Sequence, residues 1–151
     1  MKDRFGFTLV EILVVVAIIG ALAAVVSAAL NTARDRGTNA AIKANLAAIR
    51  TQAELFYAVN GDYGDDVALG DCPTSGATMF ALDSTIASAL EGAGQLGTPQ
   101  CAADDERAAD GDATSWAASA ILSDDSNWCV DTTGYSGAGE AAVVDNVALC
   151  Q

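Results

Sequence analysis

The chain contains no histidine. That absence removes Ser-His-Asp and Cys-His nucleophile systems and every histidine metal site. Cations are scarce too, since 7 Lys+Arg stand against 20 Asp+Glu, a formal net charge of -13. The few that exist gather mostly between Arg34 and Arg50, so no basic face is expected for phosphates, and nucleic acid is not an expected partner. The cysteines never fall at C-x-x-C spacing, which sets aside zinc and thioredoxin-like motifs. Acidic disorder is excluded by the 52% of hydrophobic residues.

Those hydrophobic residues are unevenly placed. Residues 7–30, FTLVEILVVVAIIGALAAVVSAAL, are apolar for 24 residues apart from Thr8, Glu11 and Ser27. At about 1.5 Å per residue this is roughly 36 Å of helix, enough to cross a hydrocarbon core of about 30 Å. A cleaved secretory signal is the first alternative, with Lys2 and Arg4 as its basic region and small residues at Ala21-Leu22-Ala23 or Ala28-Ala29. The run is too long for one, and Glu11 falls where a signal is most apolar. Cations flank the run on both sides, so charge alone does not orient it.

The junction that opens this run is Gly6-Phe7-Thr8-Leu9-Val10-Glu11-Ile12, preceded by the short charged leader of residues 1–5. It resembles the prepilin cleavage and methylation motif of type IV pilins and type II secretion pseudopilins. The resemblance implies that a membrane peptidase cuts after Gly6 and methylates the new amine of Phe7. It also implies that Glu11 is the assembly residue. A carboxylate in an otherwise unbroken apolar run is costly, which makes the motif specific. Two departures stand out: Phe5 occupies a position that is often basic in the family, and the helix lacks the central Pro of many pilins. Gly20 is then the one weak point for a local kink.

Beyond residue 30, Ile42, Leu46, Ile49, Ala53 and Phe56 recur in steps of four and three and describe one helical stripe. The spacing predicts an amphipathic continuation to about Val59, ended by Asn60-Gly61, with Gly37 a place where the junction could loosen. Residues 83–92 predict a short helix, with Asp83 as a cap and Ile86 and Leu90 on one face. Runs at 114–122, 128–132 and 141–149, separated by Asp-Asp-Ser-Asn and Gly-Tyr-Ser-Gly-Ala-Gly turns, predict a small antiparallel sheet with one apolar face on the stem. The expected fold is α+β, a long helix on a small disulfide-bonded sheet, and the ladle shape is what the resemblance implies. The expected organisation is a leader at 1–6, a transmembrane or filament-core helix at 7–30, its amphipathic half at 31–59 and a globular head at 60–151.

Cys72, Cys101, Cys129 and Cys150 all lie in the head, and an even count in a small Gly-rich head predicts two disulfides and an oxidising compartment. Three pairings are open. The favoured one joins Cys72 to Cys101 around the short helix and Cys129 to Cys150 at the last strand. The segment Trp128-Cys129-Val130-Asp131-Thr132-Thr133-Gly134 is similar to one near the C-terminal strands of some disulfide-bearing bacterial pilins.

The acidic groups Asp62, Asp65, Asp66 and Asp71, then Asp104, Asp105, Glu106, Asp110 and Asp112, invite a calcium reading. No EF-hand spacing is present, and a solvated acidic surface explains them, so no metal and no cofactor are expected. Trp116, Trp128 and Tyr135 read as core residues of short strands. Gly134-Tyr135-Ser136-Gly137-Ala138 only approaches a nucleophile elbow and reads as a turn.

The resemblance implies a non-enzymatic subunit that polymerises with identical or related copies. Its further partners would be the prepilin peptidase, an inner-membrane assembly platform, and lipid before assembly. The expected location is the inner membrane for the precursor and an extracellular filament for the assembled form. A secretion pseudopilin shares the same N-terminus. A plain membrane-anchored binding module has no need of Glu11, and a membrane-bound enzyme lacks motifs.

Overall fold

A computed structural model describes residues 8–104 and 112–151. Gly6, Phe7 and the leader, with Asp105, Glu106 and Asp110 of the second acidic group, lie outside the described residues. The chain divides into two compact units, Met1–Arg36 and Gly37–Gln151. The fold is α+β.

Helix α1 extends from Leu9 to Asn60 with both Gly20 and Gly37 inside it. Apart from chain neighbours and the surrounding helix backbone, neither glycine has an atom within 4 Å of where a Cβ would stand, so each costs the helix its intrinsic propensity and is not required by packing. Both glycines are assigned helix, and Gly37 is the first residue of the second unit. The helix ends where the sequence changes chemistry: Gly61 takes a φ of 90° and its N–H closes on the Tyr57 carbonyl at 2.8 Å.

In the second unit the stripe Ile42, Leu46, Ile49 and Ala53 is fully buried, with Phe56 packed at its edge. It meets Met79 and Phe80 of α2 (Met79–Leu82), Ile86, Ala89, Leu90 and Ala93 of α3 (Ser84–Ala93), and one face of a sheet. Asp83 caps α3, its Oδ1 accepting from the N–H groups of Thr85 at 2.8 Å and Ile86 at 3.0 Å. Its other oxygen accepts from Gln52 Nε2 of α1 at 2.8 Å, so one side chain both starts a helix and ties it to the stem.

The sheet has five antiparallel strands in sequence order: β1 (Val67–Asp71), β2 (Gln100–Asp104), β3 (Ser115–Ile121), β4 (Asn127–Asp131) and β5 (Ser136–Ala138). Strands β1 and β2 were not expected. They are short and rich in Ala, Gly and Asp, so strand-type composition is missing and pairing alone makes them strands. The Gly-Tyr-Ser-Gly-Ala-Gly segment is likewise more than a turn, since residues 136–138 pair with β4.

A further correction concerns residues 141–149, which do not form one strand. Strands β6 (Ala141–Val144) and β7 (Val147–Cys150) make a separate two-stranded hairpin. Asp145 and Asn146 take φ values of 52° and 61° between them, the paired positive φ of a tight hairpin turn. The hairpin lies on the second face of the sheet, so both faces are covered where one was expected. Cys101, Ala103, Trp116, Ala118, Ala120 and Val130 face the helices, while Ala102, Ala117 and Cys129 face Ala141 and Ala148. The period-2 alternation of strands thereby separates two cores.

Cys72 joins Cys101 with Cα atoms 4.7 Å apart, and Cys129 joins Cys150 at 5.8 Å. The first bond belongs to the helix-side core and the second to the hairpin side. Trp116 is fully buried and Trp128 packs at the core's edge under Lys43, whose ammonium stands 4.0 Å from the ring centroid. Tyr135 departs from the core reading, being 45% exposed.

Candidate assembly site

The helix α1 starts at Leu9 because the residue before it has the chemistry of an N-cap. Thr8 N–H and Thr8 Oγ1–H both donate to Glu11 Oε2, each at 2.8 Å, and Glu11 N–H returns a bond to Thr8 Oγ1 at 3.3 Å. This reciprocal pattern is a capping box, with Thr at the cap and Glu three residues on. It satisfies donors that a helix start otherwise leaves bare. The sequence reading did not find it, although the T-x-x-E spacing ahead of an apolar run is its signature.

The remaining polar side chains of this segment also find partners on their own helix. Ser27 Oγ donates to the Ala23 carbonyl at 2.9 Å, and Thr32 Oγ1 to the Ala28 carbonyl at 3.4 Å. Thr8, Glu11 and Ser27, the three interruptions of the apolar run, are thus hydrogen-bonded without help from outside the helix. That lowers the penalty for placing them in hydrocarbon or among other helices.

Around them every described residue of the first unit is exposed. Leu9 is 79% and Val25 70% exposed, and eleven further Val, Ile and Leu side chains between Val10 and Leu30 are exposed as well. Covering a side chain of this kind is worth about 1.5–3 kcal/mol, so such a surface is stable only against lipid or other apolar helices. This is the one described helix long and apolar enough to cross a membrane.

The expected site residues therefore fall in three places. Gly6 and Phe7 lie outside the described residues, Glu11 is in the first turn of α1, and the four cysteines are all in the second unit. Among the described residues no three His, Cys, Asp or Glu side chains come together as a metal site requires. Asp62 and Asp71 hold local contacts instead, accepting from Gly64 N–H at 2.8 Å and from Gln100 Nε2 at 2.7 Å.

Residues 1–27 match the model of the prokaryotic N-terminal methylation motif. No curated protein and no solved structure gives a significant match to the chain. The matched region contains the Gly6-Phe7 junction, the capping box and most of the exposed apolar run. The match shows that the chain carries this methylation motif at the head of its apolar helix, and the motif covers residues 1–27 alone.

Proposed function

We propose that this chain is a structural subunit of a bacterial type IV pilus, held in the inner membrane as a precursor, cut after Gly6 by prepilin peptidase and methylated on Phe7. It then polymerises through α1 into an extracellular filament. The carrying observation is the exposed apolar stretch of α1 headed by the methylation motif, which fits lipid before assembly and the helices of identical or related subunits afterwards. In this reading residues 1–6 are a leader, 7–30 the membrane and filament-core helix, 31–59 its amphipathic half and 60–151 the head. An inner-membrane assembly platform would lift the subunit out of the bilayer.

Glu11 is the proposed assembly residue. An unpaired carboxylate inside a packed helix bundle costs several kcal/mol, and the amine created at Phe7 by cleavage is the cation to neutralise it. Assembly would then wait for cleavage.

The test is deletion of the gene followed by shearing of surface fibres and identification of the subunit in them. Loss of fibres on deletion supports the pilus. Retention of secreted proteins with fibres intact would replace it by a secretion pseudopilin.

A further inference from the structure

The hairpin β6–β7 is held to the sheet by little apolar surface. Its buried contacts are Ala141 and Ala148 against Ala102, Ala117 and Cys129, with Val143 at the margin. Polar anchors carry the rest. Ser119 Oγ accepts from Ala141 N–H at 3.1 Å, Ser115 Oγ from Ala148 N–H at 2.8 Å, Asp131 Oδ2 from Cys150 N–H at 3.0 Å, and, at the exposed edge, Glu140 Oε1 from Asn127 Nδ2 at 2.7 Å.

Asp131 is 2% exposed, and its two oxygens have different tasks. Oδ1 accepts from Thr133 N–H at 2.9 Å, Thr133 Oγ1 at 2.6 Å and Tyr135 N–H at 3.1 Å, fixing the turn after β4. Oδ2 holds only the last strand, and holds it at Cys150 itself. Cys129 and Asp131 are two apart on β4 and so share a face, which sets the Cys150 backbone beside the sulfur it must meet.

We propose that Asp131 is the positioning residue for the Cys129–Cys150 bond, and that this bond and the carboxylate make residues 140–151 a clip whose docking follows the redox state of the pair. With glutathione disulfide as oxidant, one cysteine thiolate attacks a glutathione sulfur and expels a glutathione thiolate. The second cysteine thiolate then attacks the mixed disulfide and expels the other. Two cysteine protons leave to solvent, and two electrons reduce the glutathione disulfide. When the pair is reduced, two alanine methyls, a marginal valine and four hydrogen bonds, one of them exposed, do not hold the hairpin, and it opens. The helix-side core stays closed, because it has its own apolar cluster and its own Cys72–Cys101 bond. The head therefore reaches its final form only in an oxidising compartment.

The experiment equilibrates the full chain in detergent with graded mixtures of reduced and oxidised glutathione. Each disulfide is read by alkylation and peptide mass spectrometry, and backbone protection by hydrogen exchange. In the wild type, protection of residues 140–151 is lost together with the Cys129–Cys150 bond, while residues 42–56 of α1 remain protected. Asp131→Asn keeps an acceptor for the turn and places an amide donor against Cys150 N–H. It moves the half-formation point of Cys129–Cys150 roughly tenfold toward more oxidising glutathione mixtures, the size of a lost charged hydrogen bond, and leaves Cys72–Cys101 unmoved. Cys129→Ser with Cys150→Ser reproduces the open hairpin with Cys72–Cys101 intact. The proposal is overturned by a hairpin that stays protected after its disulfide is reduced. Equal shifts of both disulfides in Asp131→Asn overturn it too, as does a double serine variant that loses protection at residues 42–56.

Discussion

Glu11 accepts two hydrogen bonds from Thr8 on a single oxygen, Oε2, at 2.8 Å each. The carboxylate thus serves the helix start, and any function in assembly is added to that role. The two are separable by chemistry, because glutamine also completes a capping box while carrying no charge. Glu11→Gln is expected to leave the subunit in the membrane with its head folded and to lower its recovery in sheared fibres by about tenfold or more, the scale of an ion pair lost in a packed bundle. Wild-type fibre yield from Glu11→Gln would show that capping alone accounts for this residue.

Processing is expected at the Gly6-Phe7 junction, within the matched motif. Intact-mass measurement of fibre protein should give a chain beginning at a methylated Phe7, and Gly6→Val should accumulate full-length precursor in the membrane. Cleavage after Ala23 or Ala29 would instead identify an ordinary secretory signal.

Gly64 is a position where the backbone demands glycine. Its φ is 84°, and a Cβ there would stand 2.2 Å from the Ala77 carbonyl oxygen, a backbone atom that cannot swing aside. Gly64→Ala combines about 1–2 kcal/mol of left-handed strain with that clash. A loss of about 3 kcal/mol in denaturant unfolding of the head is expected, and Gly61→Ala, where nothing lies within 4 Å, should cost only the conformational part. Equal losses at the two sites would remove the clash from the account.

What the sequence made legible follows from periodicity and caps. The stripe of Ile42, Leu46, Ile49 and Ala53 and the Asp83 cap were readable because burial and capping act on fixed spacings. Strand β3 was readable from Trp116 and its neighbours, but β2 beside it and β1 beyond were not, since alanine and glycine carry no strand signal and their pairing partners are distant in sequence. The hairpin turn at Asp145-Asn146 was missed because neither residue is glycine, although both tolerate positive φ. At the candidate assembly site Glu11 was singled out for its charge, and its bond to Thr8 was overlooked.

The Asp83 carboxyl gives a pH dependence with a defined sign. Burial pushes it up, but the donors Gln52, Ile86 and Thr85 outweigh burial and hold it below its ordinary value of 3.8. A carboxyl depressed in the folded state contributes stability that is fully present above its unfolded pKa, about 3.9, and is lost as pH falls through the lower folded value. Asp83→Ala removes the cap and is expected to cost about 1 kcal/mol at neutral pH. Between pH 7 and about pH 4 the gap between wild type and Asp83→Ala should stay constant. Below about pH 4 it should narrow as the wild-type carboxyl takes up its proton, without closing, because a neutral carboxyl still accepts a hydrogen bond through its carbonyl oxygen. Denaturant titrations of both proteins across this range measure it. A gap that holds its full size down to pH 2 would mean that the cap acts through shape and hydrogen bonding, with no contribution from the charge.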